Sequence, residues 1–173
     1  VYLQQTLKCK DIISLPSDSL WKIESGVVRS STWDEDGRTI TLGFWGQGDI
    51  IGRPLSRMQP YQMECLTTVK ISQLLPRSDD LQQGLLNHAW KSEELLSIIH
   101  QPSIAERLFC LLEWLSRQFG KPSVHGTLLD MRLTHQVLAE TIGSTRVSVT
   151  RLLGQFERDG KIRRSHRHVI LYL

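Results

Sequence analysis

Thr134-His-Gln-Val-Leu-Ala-Glu-Thr-Ile-Gly-Ser-Thr-Arg-Val-Ser-Val-Thr-Arg-Leu-Leu153 decides how this 173-residue chain is read. Its spacing predicts two short helices joined by a tight turn. Thr134 follows apolar Leu133 and suits an N-cap, where a hydroxyl accepts from an orphan backbone N–H. Val137, Leu138 and Ile142 recur at helical spacing, and Ala139 leaves room for a second helix to cross closely. Gly143 suits the turn, where a left-handed backbone is needed. Ser144 or Thr145 can cap the second helix. Val149, Leu152, Leu153 and Phe156 form its inward stripe, which leaves Arg146, Val147, Thr150 and Arg151 facing outward near its start.

That arrangement is the geometry of a helix-turn-helix, whose second helix enters the major groove by its N-terminal end. An arginine can fork onto O6 and N7 of guanine, and valine can touch a thymine methyl. Arg146, Val147, Thr150 and Arg151 are therefore the expected base-reading residues. Thr134, His135, Thr145 and Ser148 are the expected phosphate contacts, which set register without reading sequence. The same pattern also fits two amphipathic helices packed for stability, with solvated arginines.

Charge favours the first reading. Residues 121–173 hold nine Lys/Arg against four Asp/Glu, whereas residues 1–120 hold twelve against fourteen. The positive charge thus lies with the helix pair, as a nucleic-acid footprint does. An apolar content of 40% supports a real core. No apolar run reaches the ~18 residues that a membrane span needs. Cys9, Cys65 and Cys110 are odd in number and far apart, which fits neither a disulfide framework nor a metal knuckle. A reduced, cytoplasmic setting is expected. No secretory signal is visible, and a chain that opens on Val1 reads as a fragment lacking its native start.

Upstream, residues 1 to about 76 read as short strands with Gly-rich turns, a sandwich or β-roll. The strand candidates are 2–7, 11–15, 20–30, 38–45 and 63–72, with a bulge or close approach at Gly26. Asp34-Glu-Asp-Gly37 is a strong hairpin turn. From Ser78 the period becomes helical. Leu85, Ala89, Ser92, Leu96 and Ile99 make a short heptad-like seam that suits either a second copy of the chain or the chain's own β domain. Pro102 ends this helix, and Ser103-Ile-Ala-Glu106 is a capping box that starts another, with Leu108, Leu111, Leu112 and Leu115 on its apolar face. The expected domains are therefore 1–101, with a dimerisation helix over about 79–101, and 102–173. Residues 121–126 read as a loop and 127–133 as a short strand. After the second helix of the pair, 162–173 reads as a β-hairpin wing with a basic tip, where Arg163, Arg164, His166 and Arg167 can meet phosphates. His166 and His168 without a third ligand do not make a metal site.

This order of parts resembles the cAMP-receptor/fumarate-nitrate regulator (Crp/Fnr) family of bacterial transcription factors over nearly the whole chain. The marks in the roll are Ile23-x-x-Gly26-x-Val28, Asp36-Gly37 and Gly46-Gln-Gly-Asp-Ile-Ile-Gly52. Those in the DNA unit run from Thr134 to Leu153. Residues 142–154 and 103–120, including Arg107 and Gln118-Phe-Gly120, look like the cyanobacterial nitrogen-control branch. The resemblance implies an α+β fold: a shortened, jelly-roll-like N-terminal β-roll, a dimerisation helix and a C-terminal winged helix-turn-helix. It implies a homodimer on an inverted repeat with GTA and TAC half-sites, Arg146 and Arg151 on guanines, Val147 on the next base step, and RNA polymerase as a further partner.

The departures concern the effector. Nucleotide-binding members carry a Glu soon after the glycine matching Gly52, and later an Arg-Ser or Arg-Thr pair. Here Gly52 precedes Arg53-Pro54, and the later segment reads Tyr61-Gln-Met-Glu64, so a cyclic nucleotide is not expected. The 2-oxoglutarate-binding branch uses two arginines. Their places here fall to His88, with Glu93 five residues on, and to Gln59, with Arg57 near. A small anion such as 2-oxoglutarate would have to use Gly52, Arg53, Arg57, His88 or Glu93. No cysteine cluster for iron–sulfur and no haem motif is present.

The expected function is sequence-specific, DNA-binding transcription regulation with an altered or lost effector pocket. The alternative is a winged-helix module that docks a protein. An enzyme is not expected: no triad, carboxylate pair or phosphate loop stands out, and Gly46-Gln-Gly-Asp49 lacks the lysine of a P-loop.

Overall fold

The computed structural model describes residues 3–74, 79–165 and 168–172. Contacts divide the chain into two compact units, Val1–Glu94 and Leu95–Leu173. The first holds β1 (Gln4–Leu7), β2 (Trp21–Ser25), β3 (Val28–Trp33), β4 (Thr39–Trp45), β5 (Ile50–Ile51), β6 (Gln62–Cys65), β7 (Val69–Gln73) and most of α1 (Asp79–Ile99).

Two antiparallel sheets form, in the orders β1-β7-β2-β5 and β4-β3-β6. Trp21, Ile23, Val28, Trp45, Met63 and Ile71 from both sheets share one buried core. The Asp34–Gly37 turn is as expected. Asp34 Oδ1 accepts from the backbone N–H groups of Asp36 at 3.0 Å and Arg38 at 2.8 Å, and Gly37 has φ 77°. Two long strand candidates divide. Residues 20–30 become β2 and β3, which lie in different sheets, and 63–72 becomes β6 and β7. The reason at Gly26 is close approach: a Cβ there would lie 2.3 Å from the Thr68 carbonyl oxygen. Residues 11–15 form only an isolated bridge, Ile12 to Glu64.

Within this unit α1 lies close on the roll. A Cβ at Gly84 would come within 2.6 Å of Ile50 Cγ2. Two ion pairs hold the helix. Lys22 Nζ meets Asp80 Oδ2 at 2.8 Å, and Lys91 pairs with Asp49, whose side chain is 4% exposed. The same Asp49 oxygen accepts the Gly46 N–H at 2.7 Å, so one carboxylate closes the 46–49 turn and anchors the helix. On α1, Leu85, Ala89 and Leu96 of the expected seam are exposed, while Ser92 and Ile99 are half-buried. Leu86 and Trp90 widen the exposed apolar stripe.

The second unit holds the end of α1, then α2 (Ile104–Phe119), β8 (Lys121–Ser123), β9 (Gly126–Leu129), α3 (His135–Ile142), α4 (Arg146–Arg158), β10 (Ile162–Ser165) and β11 (His168–Leu171). The Ser103 capping box is complete: Ser103 Oγ accepts the Glu106 N–H, and Glu106 accepts the Ser103 N–H at 3.0 Å. Donation to its carboxyl from Ser103 Oγ–H at 2.7 Å and from the Ser103 N–H holds Glu106 below its ordinary range. Leu108, Leu111, Leu112 and Leu115 are all buried on α2. Where a loop is expected over 121–126, β8 pairs with β9 instead, because β9 already pairs with β11 and offers a free edge. The result is a four-stranded sheet, β10-β11-β9-β8.

Replacing Asp49 by Ala would remove the carboxylate that pairs with Lys91 and accepts the Gly46 N–H in the 46–49 turn. The expected loss is about 1–3 kcal/mol of stability, since removing a buried acceptor leaves the Gly46 N–H unsatisfied. Urea unfolding followed by tryptophan fluorescence checks it.

Candidate nucleic-acid interface

The helix pair forms as its residues dictate. Thr134 Oγ1 accepts from the Val137 N–H at 3.1 Å, and Thr145 Oγ1 from the Ser148 N–H at 3.1 Å. Gly143, at φ 66° and ψ 44°, supplies the left-handed turn between α3 and α4. Val137, Leu138, Ala139 and Ile142 of α3 are buried, as are Val149, Leu152, Leu153 and Phe156 of α4. Phe109 of α2 meets Phe156 edge-on, with centroids 5.4 Å apart. Burying one face of α4 leaves the other in water. Arg146, Thr150 and Arg151 are exposed, and Val147 is 79% exposed.

The hydroxyls are more committed than their types suggest. Thr145 Oγ1 donates to Ser148 Oγ at 3.0 Å. Thr150 Oγ1 donates to the Arg146 carbonyl at 2.8 Å, and His135 Nδ1 lies 2.7 Å from Thr150 Oγ1. The wing is tied back to α4. Arg164 gives Nη2 and Nε to Glu157 Oε2 at 2.8 and 3.1 Å, and its backbone N–H to Oε1 at 2.9 Å. These bonds from Arg164 hold the Glu157 carboxyl below its ordinary range. Arg163 remains exposed. Sequence reasoning misses Glu157, which no motif marks. Its partner lies across a turn, where neither the helical nor the strand period applies. His166 and Arg167 lie outside the described residues. His168 Nδ1 lies 3.1 Å from Asp130 Oδ1. Among the described residues no group of three metal-ligand side chains forms.

The effector candidates sit in the first unit. Gly52 is pressed against backbone, since a Cβ would fall 2.4 Å from the Ser19 carbonyl oxygen. Arg53 is engaged: Nη1 donates to the carbonyls of Met58 at 2.7 Å and Ser56 at 3.3 Å, and its guanidinium lies 5.4 Å from the Tyr61 ring centre. Arg57 and Glu93 are exposed. His88 is half-buried, and its Nδ1 is buried without a hydrogen-bond partner among the described residues. It stacks on Trp45 with centroids 4.0 Å apart and planes 6° from parallel. Trp45 in turn donates Nε1–H to Ser30 Oγ at 2.9 Å, and its ring covers Gly43, where a Cβ would lie 2.2 Å from the indole. Sequence reasoning misses this indole too, although Gly43 two positions earlier on the same sheet face is the signal that could have found it.

A model for the Crp-like helix-turn-helix domain matches residues 106–173. Regulatory protein CysR of Synechococcus elongatus is 44% identical over 165 residues, which span 94% of this chain and 80% of that protein. The chain belongs to the Crp/Fnr family of transcription regulators. The global nitrogen regulator of Synechocystis is 30% identical over 165 residues, covering 85% of this chain and 72% of that protein, so the cyanobacterial resemblance holds. The crystal structure of a CRP-family transcriptional regulator from Thermus thermophilus superposes with a TM-score of 0.83. It is 23% identical, with 98% of this chain and 92% of that one covered. Like other Crp/Fnr members, the chain is a DNA-binding transcription regulator of α+β fold. No helix among the described residues is long and apolar enough to cross a membrane.

Burial holds the His88 imidazole below its ordinary value, against a smaller opposing pull from Asp49. The neutral ring is therefore the folded form. Its contribution to stability is complete above the unfolded value of 6.5 and is lost as pH falls through the lower folded value. Urea midpoints at pH 7.5 and 5.5 should differ more for the parent chain than for His88→Phe, which keeps the stack and cannot titrate.

Proposed function

We propose that the chain acts in the cytoplasm as a homodimer on an inverted repeat of GTA and TAC half-sites, with RNA polymerase as a further partner. The observation that carries this is the exposed row Arg146, Val147, Thr150 and Arg151 on a helix capped at Thr145 and buried along its opposite face. Arg146 and Arg151 fork onto guanines, and Val147 packs on a thymine methyl. Thr150 shares that face with its hydroxyl committed to the protein. Thr134, His135, Thr145, Ser148, Arg163 and Arg164 hold phosphates, with Arg164 oriented by Glu157. The apolar stripe Leu85, Leu86, Ala89, Trp90 and Leu96 is the face offered to a second copy, and a twofold protein matches a twofold site. Residues 1–101 form the effector-like domain and 102–173 the DNA-binding domain. Pro102 and Ser103 act as the hinge between them.

The effector pocket is altered in this reading. The His88 ring is stacked on the Trp45 indole, and Arg53 is spent on loop carbonyls. The regulator is then competent for DNA without a ligand. Equilibrium competence of this kind needs no ligand that binds one arrangement more tightly.

Fluorescence anisotropy with a labelled GTA/TAC duplex, against a scrambled one, at near-physiological salt and without ligand, tests this. Specific binding should be tighter by about 10³-fold or more. Equal, weak binding to both would overturn it. Arg146→Ala should cost about 1–3 kcal/mol on the specific duplex and blur one base position. Arg163→Ala should weaken both duplexes alike and lower the salt slope by about 1.

A further inference from the structure

We propose that His135 couples DNA binding to the uptake of a proton: a neutral imidazole in the free chain, it becomes a phosphate-binding imidazolium on DNA. The proposal rests on the DNA-binding reading above and names a chemical state that reading leaves open.

The hydrogen bonds around Thr150 determine the tautomer. A threonine hydroxyl has one proton to give. Thr150 Oγ1 gives it to the Arg146 carbonyl at 2.8 Å. With that proton directed to the carbonyl, His135 Nδ1, 2.7 Å from Thr150 Oγ1, takes the donor role. With Nδ1 carrying its hydrogen, Nε2 is the atom that gains or lacks the second proton. The ring is also held in place across two helices, because His135 opens α3 while Thr150 lies on the outward side of α4.

The surroundings favour the neutral ring before DNA arrives. His135 is half-buried, and burial is the largest cause holding it below the ordinary histidine value. Arg164 of β10 and Arg146 of α4 add like-charge repulsion. The first turn of α3 adds the positive end of a helix dipole. The acids on these elements are otherwise engaged: Glu157 of α4 holds Arg164, and Glu140 of α3 accepts from Gln136 Nε2 at 2.9 Å. Each of these terms disfavours the cation while no anion is present. A phosphate set against His135 and Arg164 reverses the balance, since it offsets the nearby positive charge and offers an acceptor to Nε2–H.

The sign follows from linkage. The complex binds more protons than the free partners, so affinity rises as pH falls. The rise approaches tenfold per pH unit per protomer while the pH lies between the free and bound values. Because the contact is with phosphate and not with a base, the same dependence belongs to specific and scrambled duplexes.

The test is anisotropy on both duplexes at constant ionic strength from pH 8 to pH 6, for the parent chain and His135→Asn. Asparagine can keep an N–H near the Nδ1 position and cannot titrate. The ratio of variant to parent Kd should be about tenfold larger at pH 6 than at pH 8, on both duplexes. Nitrogen-15 NMR of the imidazole should show the Nδ1–H tautomer in the free chain, and its titration should move upward on adding duplex. Specific binding by the parent with the same pH profile as the variant would overturn the proposal and leave the DNA reading standing. So would an Nε2–H tautomer in the free chain. Binding to neither duplex at any pH would overturn the DNA reading and the proton coupling with it.

Discussion

Recognition by this chain depends on burying one stripe of one helix. Val149, Leu152, Leu153 and Phe156 are each at most 5% exposed, and that burial turns Arg146, Val147, Thr150 and Arg151 outward together. A helix of this length is marginal in water alone. Its order is borrowed from α3, from Phe109 of α2 and from β10, which all pack on it within one unit. Truncating a stripe residue would therefore disturb the outward face as a whole. The contacts at the surface are replaceable one at a time, but their common platform is not.

Electrostatics at this surface are arranged sparingly. Arg164 is held by an acid, burial and two nearby arginines hold His135 below the ordinary histidine value, and Arg163 stands in water. Pairing Arg164 with Glu157 lowers self-repulsion among the cations of this surface in the free protein, while Arg146, Arg151 and Arg163 stay exposed. The first unit follows a related rule. Asp49 is buried, and it is tolerated because Lys91 and the Gly46 N–H both reach it.

Much of this is legible in the residues. Caps at Ser103, Thr134 and Thr145, the left-handed Gly143 and the inward stripes all follow from local rules that need only neighbours in sequence. The hairpin at Asp34–Gly37 belongs with them. What escapes is non-local. Residues 20–30 look like one alternating strand, and only the close approach at Gly26 reveals that they serve two sheets. Lys121–Ser123 carries a proline and reads as a loop, yet β9 offers it an edge. Distance from the hinge singles out His88, but its ring contact with Trp45 depends on pairing between elements some forty residues apart. Likewise Thr150 looks like a base reader, and the bond from His135 that occupies its hydroxyl crosses from one helix to the next.

The wing strand β11 pairs with β10 on one side and β9 on the other, and β9 packs against α2. β11 is thus an interior strand of the sheet, with β10 at its edge, and these strands are not a free flap. A flap would have to be ordered at the moment of contact, and the loss of its freedom would be subtracted from affinity. Here that loss is incurred once, when the chain folds. Helix α4 and the strands β10 and β11 are ordered together within one unit before any partner arrives.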